Sequence, residues 1–141
     1  MNNLAIVQQF YSALAQKDTA AARAFLAPDI EWNQAEGWPE GSRHVGPEAV
    51  LREVLDKNHE EWADWQFNVN QWIEAGDTIV ALGEYRGTNR DTGRAMRAAF
   101  AHVYDLQDGK IIRFRQYADT ARLRDALAPT FPGPADIKAG D

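Results

Sequence analysis

Hydrophobic positions along the chain change period once, and the change divides it into a helical and an extended half. Leu4, Val7, Phe10, Tyr11 and Leu14 recur at steps of three and four, which is one face of an amphipathic helix. Lys17-Asp18 ends that helix. Asp18 can cap a second one, Thr19 to Leu26, by accepting from its free backbone N–H groups, and Pro28 stops it. Ile30 to Asn33 then reads as a short strand. Gly37, Pro39, Gly41 and Gly46 make Gln34 to Gly46 a loop. Pro47 suits the first position of a third helix, with Glu48 complementing its dipole. Val50, Leu51, Val54, Leu55 and Asn58 give that helix, which runs to about Trp62, a buried stripe.

From Trp65 the period is two. Phe67, Val69, Gln71 and Ile73 alternate with Gln66, Asn68, Asn70 and Trp72. Gly76-Asp77 predicts a tight turn, Thr78 to Gly87 a strand, Asn89 to Gly93 another turn, and Arg94 to Leu106 a long strand. Gln107-Asp108-Gly109-Lys110 predicts a hairpin turn into a final strand, Ile111 to Tyr117. Thr120 to Leu127 suits a short terminal helix. Helices followed by strands on short turns predict an α+β fold, with three helices packed on one face of a curved antiparallel sheet. Such a cone has a mouth suited to an apolar pocket. Residues 1–128 form the expected single domain, and 129–141, with Pro132-Gly133-Pro134, a loosely ordered tail.

Composition narrows the function. A length of 141 residues with 45% hydrophobic and 11% aromatic positions is one cored domain, not a disordered chain. Cysteine is absent, which removes disulfides and thiolate chemistry. A net charge of −6 without a Lys/Arg cluster argues against nucleic-acid and anionic-membrane partners. No segment has the apolar length of a membrane span or the pattern of a signal peptide, so the expected location is cytoplasmic. The three histidines show no metal-ligand spacing and there is no phosphate-binding Gly-rich motif, so neither metal nor cofactor is expected.

Four stretches together are similar to the SnoaL-like branch of the NTF2-like, or ketosteroid-isomerase-like, superfamily. They are Val7-Gln8-Gln9-Phe10-Tyr11-Ser12-Ala13-Leu14 with Asp18 and Phe25 to Trp32; Gly46-Pro47-Glu48-Ala49-Val50; Asp108-Gly109-Lys110-Ile111; and Phe114 to Thr120. The resemblance implies an NTF2-like (cystatin-like) cone. It carries the isomerases' general-base Asp onto Gln34, their oxyanion-hole Tyr onto Phe10 and their oxyanion-hole Asp near Ala101. None of these side chains fills the corresponding role, which argues against the steroid isomerase mechanism.

The resemblance leaves two expectations. One is a cofactor-independent enzyme that isomerises, cyclises or dehydrates a small hydrophobic carbonyl compound. The other is a non-catalytic domain of the same fold that binds a small molecule or a partner. For the enzyme, Asp119 and His44 are the candidate proton-transfer pair. Asp119 lies where the last strand ends and also reads as the N-cap of the following helix; His44 lies in the loop after the first strand. Trp32, Gln34, Trp38, Tyr85, Phe114 and Tyr117 are the candidate substrate contacts. Phe114 and Gln116 are expected to face the helices, with Arg113, Arg115 and Tyr117 on the outer face. On the long strand the small Ala99 and Ala101 are expected to face inward and open a cavity. Phe100, His102 and Tyr104, with Trp72, are then expected to form an outer face through which a homodimer pairs. Trp62 and Trp65 are expected to be core or interface anchors.

Overall fold

The structure is a computed structural model that describes residues 1–39 and 42–128; the expected tail, 129–141, lies outside the described residues. Helix α1 (Asn3–Ala15) starts where the Asn2 side chain accepts from Ala5 N–H at 2.8 Å. Helix α2 (Thr19–Ala24) is capped by Asp18, which accepts from Ala21 N–H at 3.2 Å, as its position predicts. Strand β1 (Leu26–Asn33) begins earlier than expected and takes in Pro28 where its pairing register shifts, so no ladder bond is lost to the proline.

The region read as a loop contains a short strand, β2 (Arg43–Val45), paired antiparallel to β1. The third helix comes in three pieces: α3 (Pro47–Ala49), a π-helical segment (Val50–Leu55) and α4 (Asp56–Glu61). In the wide middle turns Asp56 N–H reaches back five residues to Leu51 O. Strands β3 (Trp62–Ala75), β4 (Thr78–Asn89), β5 (Ala95–Gln107) and β6 (Lys110–Ala118) follow, then α5 (Thr120–Leu127). At the β5–β6 turn Asp108 and Gly109 have φ of 52° and 76°, the two left-handed positions of a two-residue hairpin.

The six strands form one open sheet in the order β2-β1-β6-β5-β4-β3. All neighbours are antiparallel except β1 and β6, which run parallel. The expected all-antiparallel sheet is corrected there. A long stretch of chain separates these two strands, so no short turn forces them to oppose. Register shifts between Ala63 and Gln66, and between Val69 and Gln71, bend β3 against β4.

The alternation predicted for β5 is present, with its phase reversed. Phe100, His102 and Tyr104 are buried on the helix side, whereas Ala99 is exposed and Ala101 half-buried on the other face. Packing explains the reversal. The curved sheet leaves more room beneath the helices than alanines fill, and the aromatic rings occupy it. Phe100, His102 and Tyr104 are therefore internal, and the half-buried Trp72 packs its ring 5.5 Å from that of Tyr11. Arg113 and Arg115 do lie on the outer face, where both pair with Asp105 of the same chain at 3.2 and 3.3 Å.

Gly83 is the tight point of the bend. A Cβ there would overlap the Asn68 carbonyl oxygen and sit 2.9 Å from the Phe100 ring. Gly83→Ala is expected to push β3 off β4 and lower stability by about 2 kcal/mol or more, read from urea unfolding midpoints. A variant as stable as the parent would show that this approach does not set the curvature.

Candidate functional site

A cavity of about 170 Å³ lies between the concave sheet face and the helices. Tyr11 on α1, Trp32 and Gln34 at the end of β1, Tyr85 on β4, His102 and Tyr104 on β5, and Phe114 and Gln116 on β6 line its buried end. Lys17, Asp18, Thr19 and Asp56 are exposed lining residues and form its solvent side, with His59 half-buried beside them. The π-helical turns place Leu51, Val54 and Leu55 in the wall, and α4 adds the buried Asn58 and the half-buried His59 to the lining.

The polar centre is His102. Its ring stacks on Phe100 with centroids 3.8 Å apart and planes 9° apart. Its Nδ1 is hydrogen-bonded to the Tyr11 hydroxyl and its Nε2 to the Tyr85 hydroxyl. Tyr104 donates to the Tyr11 oxygen at 2.7 Å. Gln116 donates from Nε2 to the Tyr85 oxygen at 2.9 Å, and its Oε1 accepts from Ala35 N–H at 2.9 Å. The backbone N–H can only donate, so it fixes which way the Gln116 amide faces.

Burial without a counter-charge pushes the His102 imidazole from its ordinary 6.5 down to about 3, so the ring is neutral at physiological pH. Burial also raises Tyr11, Tyr85 and Tyr104, and the neighbouring Tyr104 raises Tyr11 further. These hydroxyls therefore stay protonated and serve as hydrogen-bond donors. His59 is lowered by partial burial and then by the Lys17 cation, which favours a neutral imidazole facing the mouth.

Gln34 adds a second donor. Its Oε1 accepts from the Trp32 indole N–H at 3.2 Å, which turns its amide hydrogens the other way. Among the described residues they meet no acceptor, and Gln34 is only 6% exposed. Trp32 stacks on Phe114 with centroids 3.8 Å apart, making a flat apolar wall.

Of the side chains singled out from the sequence, Trp32, Gln34, Tyr85 and Phe114 meet in this cavity. Trp38 is buried against Trp65 and Tyr85, behind the lining. Tyr117 is 56% exposed on the outer face. Asp119 makes the predicted N-cap, accepting from Arg122 N–H at 3.3 Å, and is exposed outside the lining. His44 lies on β2 with Nδ1 3.3 Å from Glu53 Oε1, also outside the lining.

The sequence reading missed Tyr11, His102, Gln116, Trp65 and His59. Tyr11 had a signal, a phenol within an otherwise apolar stripe, since a buried Tyr needs a partner for its hydroxyl. His102 lies on the helix side of β5, opposite to the face its alternation suggests. The hydroxyl on α1 thus comes one residue after Phe10, and the inward position on β5 one residue after Ala101.

An open, curved α+β sheet that closes a small cavity under its helices defines the class of protein. The profile of the SnoaL-like domain matches residues 7–114, and the chain belongs to that family. An NTF2-like protein from Burkholderia thailandensis is 34% identical, with 92% of this chain and 99% of that one covered and a TM-score of 0.88. An NTF2-like protein of unknown function from Burkholderia pseudomallei is 27% identical over 91% and 98%, with a TM-score of 0.82. A third, from Burkholderia xenovorans, shares the fold at 24% identity over 89% and 95%, with a TM-score of 0.79. No curated protein matches the chain. Among the described residues no helix is long and apolar enough to cross a membrane.

The buried neutral histidine makes acid stability a direct test. The unfolded chain takes up a proton near pH 6.5 that the folded chain refuses until about pH 3. Between these values the unfolded state binds more protons, so stability falls as pH falls, by up to about 1.4 kcal/mol per pH unit from this group. His102→Gln is expected to remove that share of the slope, measured as the difference between the two proteins' urea unfolding energies from pH 7 to 4. Equal slopes would mean that His102 is not held neutral.

Proposed function

We propose that the cavity binds a small hydrophobic carbonyl compound and moves a proton next to its carbonyl. The observation that carries this is the neutral His102 held between two tyrosine hydroxyls at the closed end of an aromatic cavity. The volume suits one ring with a few substituent atoms, since a cavity of about 150 Å³ holds benzene. Hydroxyl donors inside stabilise the negative charge that develops on the carbonyl oxygen when a neighbouring proton leaves.

The proton needs an acceptor, and the inner end has none of suitable strength, because His102 titrates too low. We assign that role to His59, a cavity-lining imidazole with its basic form favoured at neutral pH. It takes the proton from carbon, the carbonyl oxygen becomes an enolate oxygen hydrogen-bonded by a tyrosine, and the imidazolium returns the proton elsewhere on the molecule. Isomerisation, cyclisation and dehydration all begin with that step. The proposal assigns no step to Asp119 or His44, both of which lie outside the lining. A homodimer through the outer sheet face belongs to the same proposal, now resting on the exposed Tyr117 beside Ala101.

The non-catalytic reading is favoured by one observation, the absence of a buried carboxylate from the lining. Deuterium exchange next to the carbonyl of acetophenone in D₂O, followed by proton NMR, separates the two. The enzyme reading expects exchange above the buffer rate, reduced roughly 100-fold or more by His59→Gln and unchanged by Asp119→Asn. Saturable binding with exchange at the buffer rate would establish a binding domain. Loss of exchange in Asp119→Asn alone would move the proton-transfer role to Asp119.

A further inference from the structure

Besides the second amide hydrogen of Gln116, the hydrogen-bond cluster around His102 contains one more hydrogen than its own contacts can use. Gln116 donates to the Tyr85 oxygen, and Tyr104 donates to the Tyr11 oxygen. Two contacts remain, Tyr11 with Nδ1 and Tyr85 with Nε2. Three hydrogens compete for them: the two hydroxyl hydrogens of Tyr11 and Tyr85, and the single N–H of a neutral imidazole.

The tautomer decides which hydrogen is left over. With the proton on Nδ1, the ring donates to Tyr11 and accepts from Tyr85. The Tyr11 oxygen then accepts twice, from Tyr104 and His102, and its own hydrogen has no partner in the cluster. With the proton on Nε2, the ring donates to Tyr85 and accepts from Tyr11. The Tyr85 oxygen then accepts twice, from Gln116 and His102, and the spare hydrogen belongs to Tyr85. Both hydroxyls belong to cavity-lining residues. A cationic ring would change the count, but among the described residues no carboxylate touches His102, whose neighbours are the two hydroxyls and aromatic rings.

We infer that His102 is a positioning residue whose tautomer selects whether Tyr11 or Tyr85 offers a hydrogen to the ligand, and that the cavity selects neutral one-ring ketones through that hydrogen. The Gln34 amide, turned away from Trp32 and meeting no acceptor among the described residues, supplies a second donor and strengthens the preference for an oxygen that accepts. An amine or ammonium ligand would bring further hydrogens to a wall that already has a surplus. The inference rests on the cavity's being the ligand site, and extends it by naming the group recognised and the switch that presents the donor.

The test uses acetophenone and α-methylstyrene, which have nearly the same shape and differ by a carbonyl oxygen against a methylene. The full chain, labelled with ¹⁵N in its histidine rings, is titrated with each. Ring nitrogen shifts distinguish an N–H from a bare nitrogen, so they read the His102 tautomer. Acetophenone is expected to shift the balance between the two tautomers, whereas α-methylstyrene fills the same space and leaves it unchanged. In a Tyr11→Phe/Tyr85→Phe double variant the affinity for acetophenone is expected to fall about tenfold relative to that for α-methylstyrene. Retained α-methylstyrene binding shows that the variant's cavity is intact. Should the variant not fold, the tautomer measurement on the parent chain decides. If neither compound binds the parent, the cavity is not the ligand site and both readings fall. If both bind and His102 responds to both alike or to neither, the switch is wrong while the cavity stands.

Discussion

The fold is organised around the requirement that a buried imidazole have a partner at each nitrogen. An unpaired polar atom in an aromatic interior costs several hydrogen bonds' worth of stability, and a charged one costs more. His102 meets that requirement with hydroxyls from two different elements, α1 and β4, while sitting on a third, β5. The three must therefore converge to within hydrogen-bond reach of one ring. A flat sheet would not bring the β4 side chain and the helix to the same point. Curvature does, and the bend is set by the irregular β3–β4 register and the Cβ-free crossing at Gly83. The last connection in the chain closes through Gln116, whose amide ties Tyr85 to the backbone after β1.

That same convergence produces the cavity. Large rings on β5 point inward because the space exists, and they fill it incompletely because the hydroxyl contacts fix where they stop. A hydrogen-bonded ring cannot slide to close a gap as an aliphatic side chain can. The void under α1 and the π-helical turns is thus the complement of a polar network, and in the proposed function the donors that hold the network together are the groups a ligand meets. Structure and the proposed recognition then share one set of atoms, which makes Tyr11 and Tyr85 costly to change for two separate reasons.

Local pattern made much of this legible in the sequence. The helix over Leu4 to Leu14, the Asp18 and Asp119 caps, the Asp108-Gly109 turn and the order of elements all follow from spacings within about ten residues, which is the range over which propensity acts. The resemblance carried by Phe25 to Trp32 and Phe114 to Thr120 adds the correct family. The parallel β1–β6 pairing and the π-helical turns have no local signature. Nor does the phase of β5. Alternation fixes that Phe100, His102 and Tyr104 share a face, but which face is decided by the volume between distant elements. The phase of β5 carries further consequences: it makes an imidazole the polar centre of the cavity, and it leaves Phe100, His102 and Tyr104 buried and not on an outer face.

The corrected phase changes what the missing isomerase residues mean. Gln34, Phe10 and Ala101 suggested a site emptied of chemistry. With Tyr11 and His102 as the inward positions, the same region holds a tyrosine hydroxyl hydrogen-bonded to an imidazole. An acid in that position would have to stay protonated to donate, against its own tendency to ionise. A neutral histidine between two phenols avoids the difficulty, because it can pass a hydrogen from one side to the other without any group acquiring charge. In the proposed switch the donor presented to a ligand is set by a tautomeric equilibrium, whose two states differ by far less than an ionisation in a low-dielectric interior. Such a site is suited to steadying a carbonyl oxygen at more than one position within a single small cavity, as a reaction that moves a proton along one molecule requires.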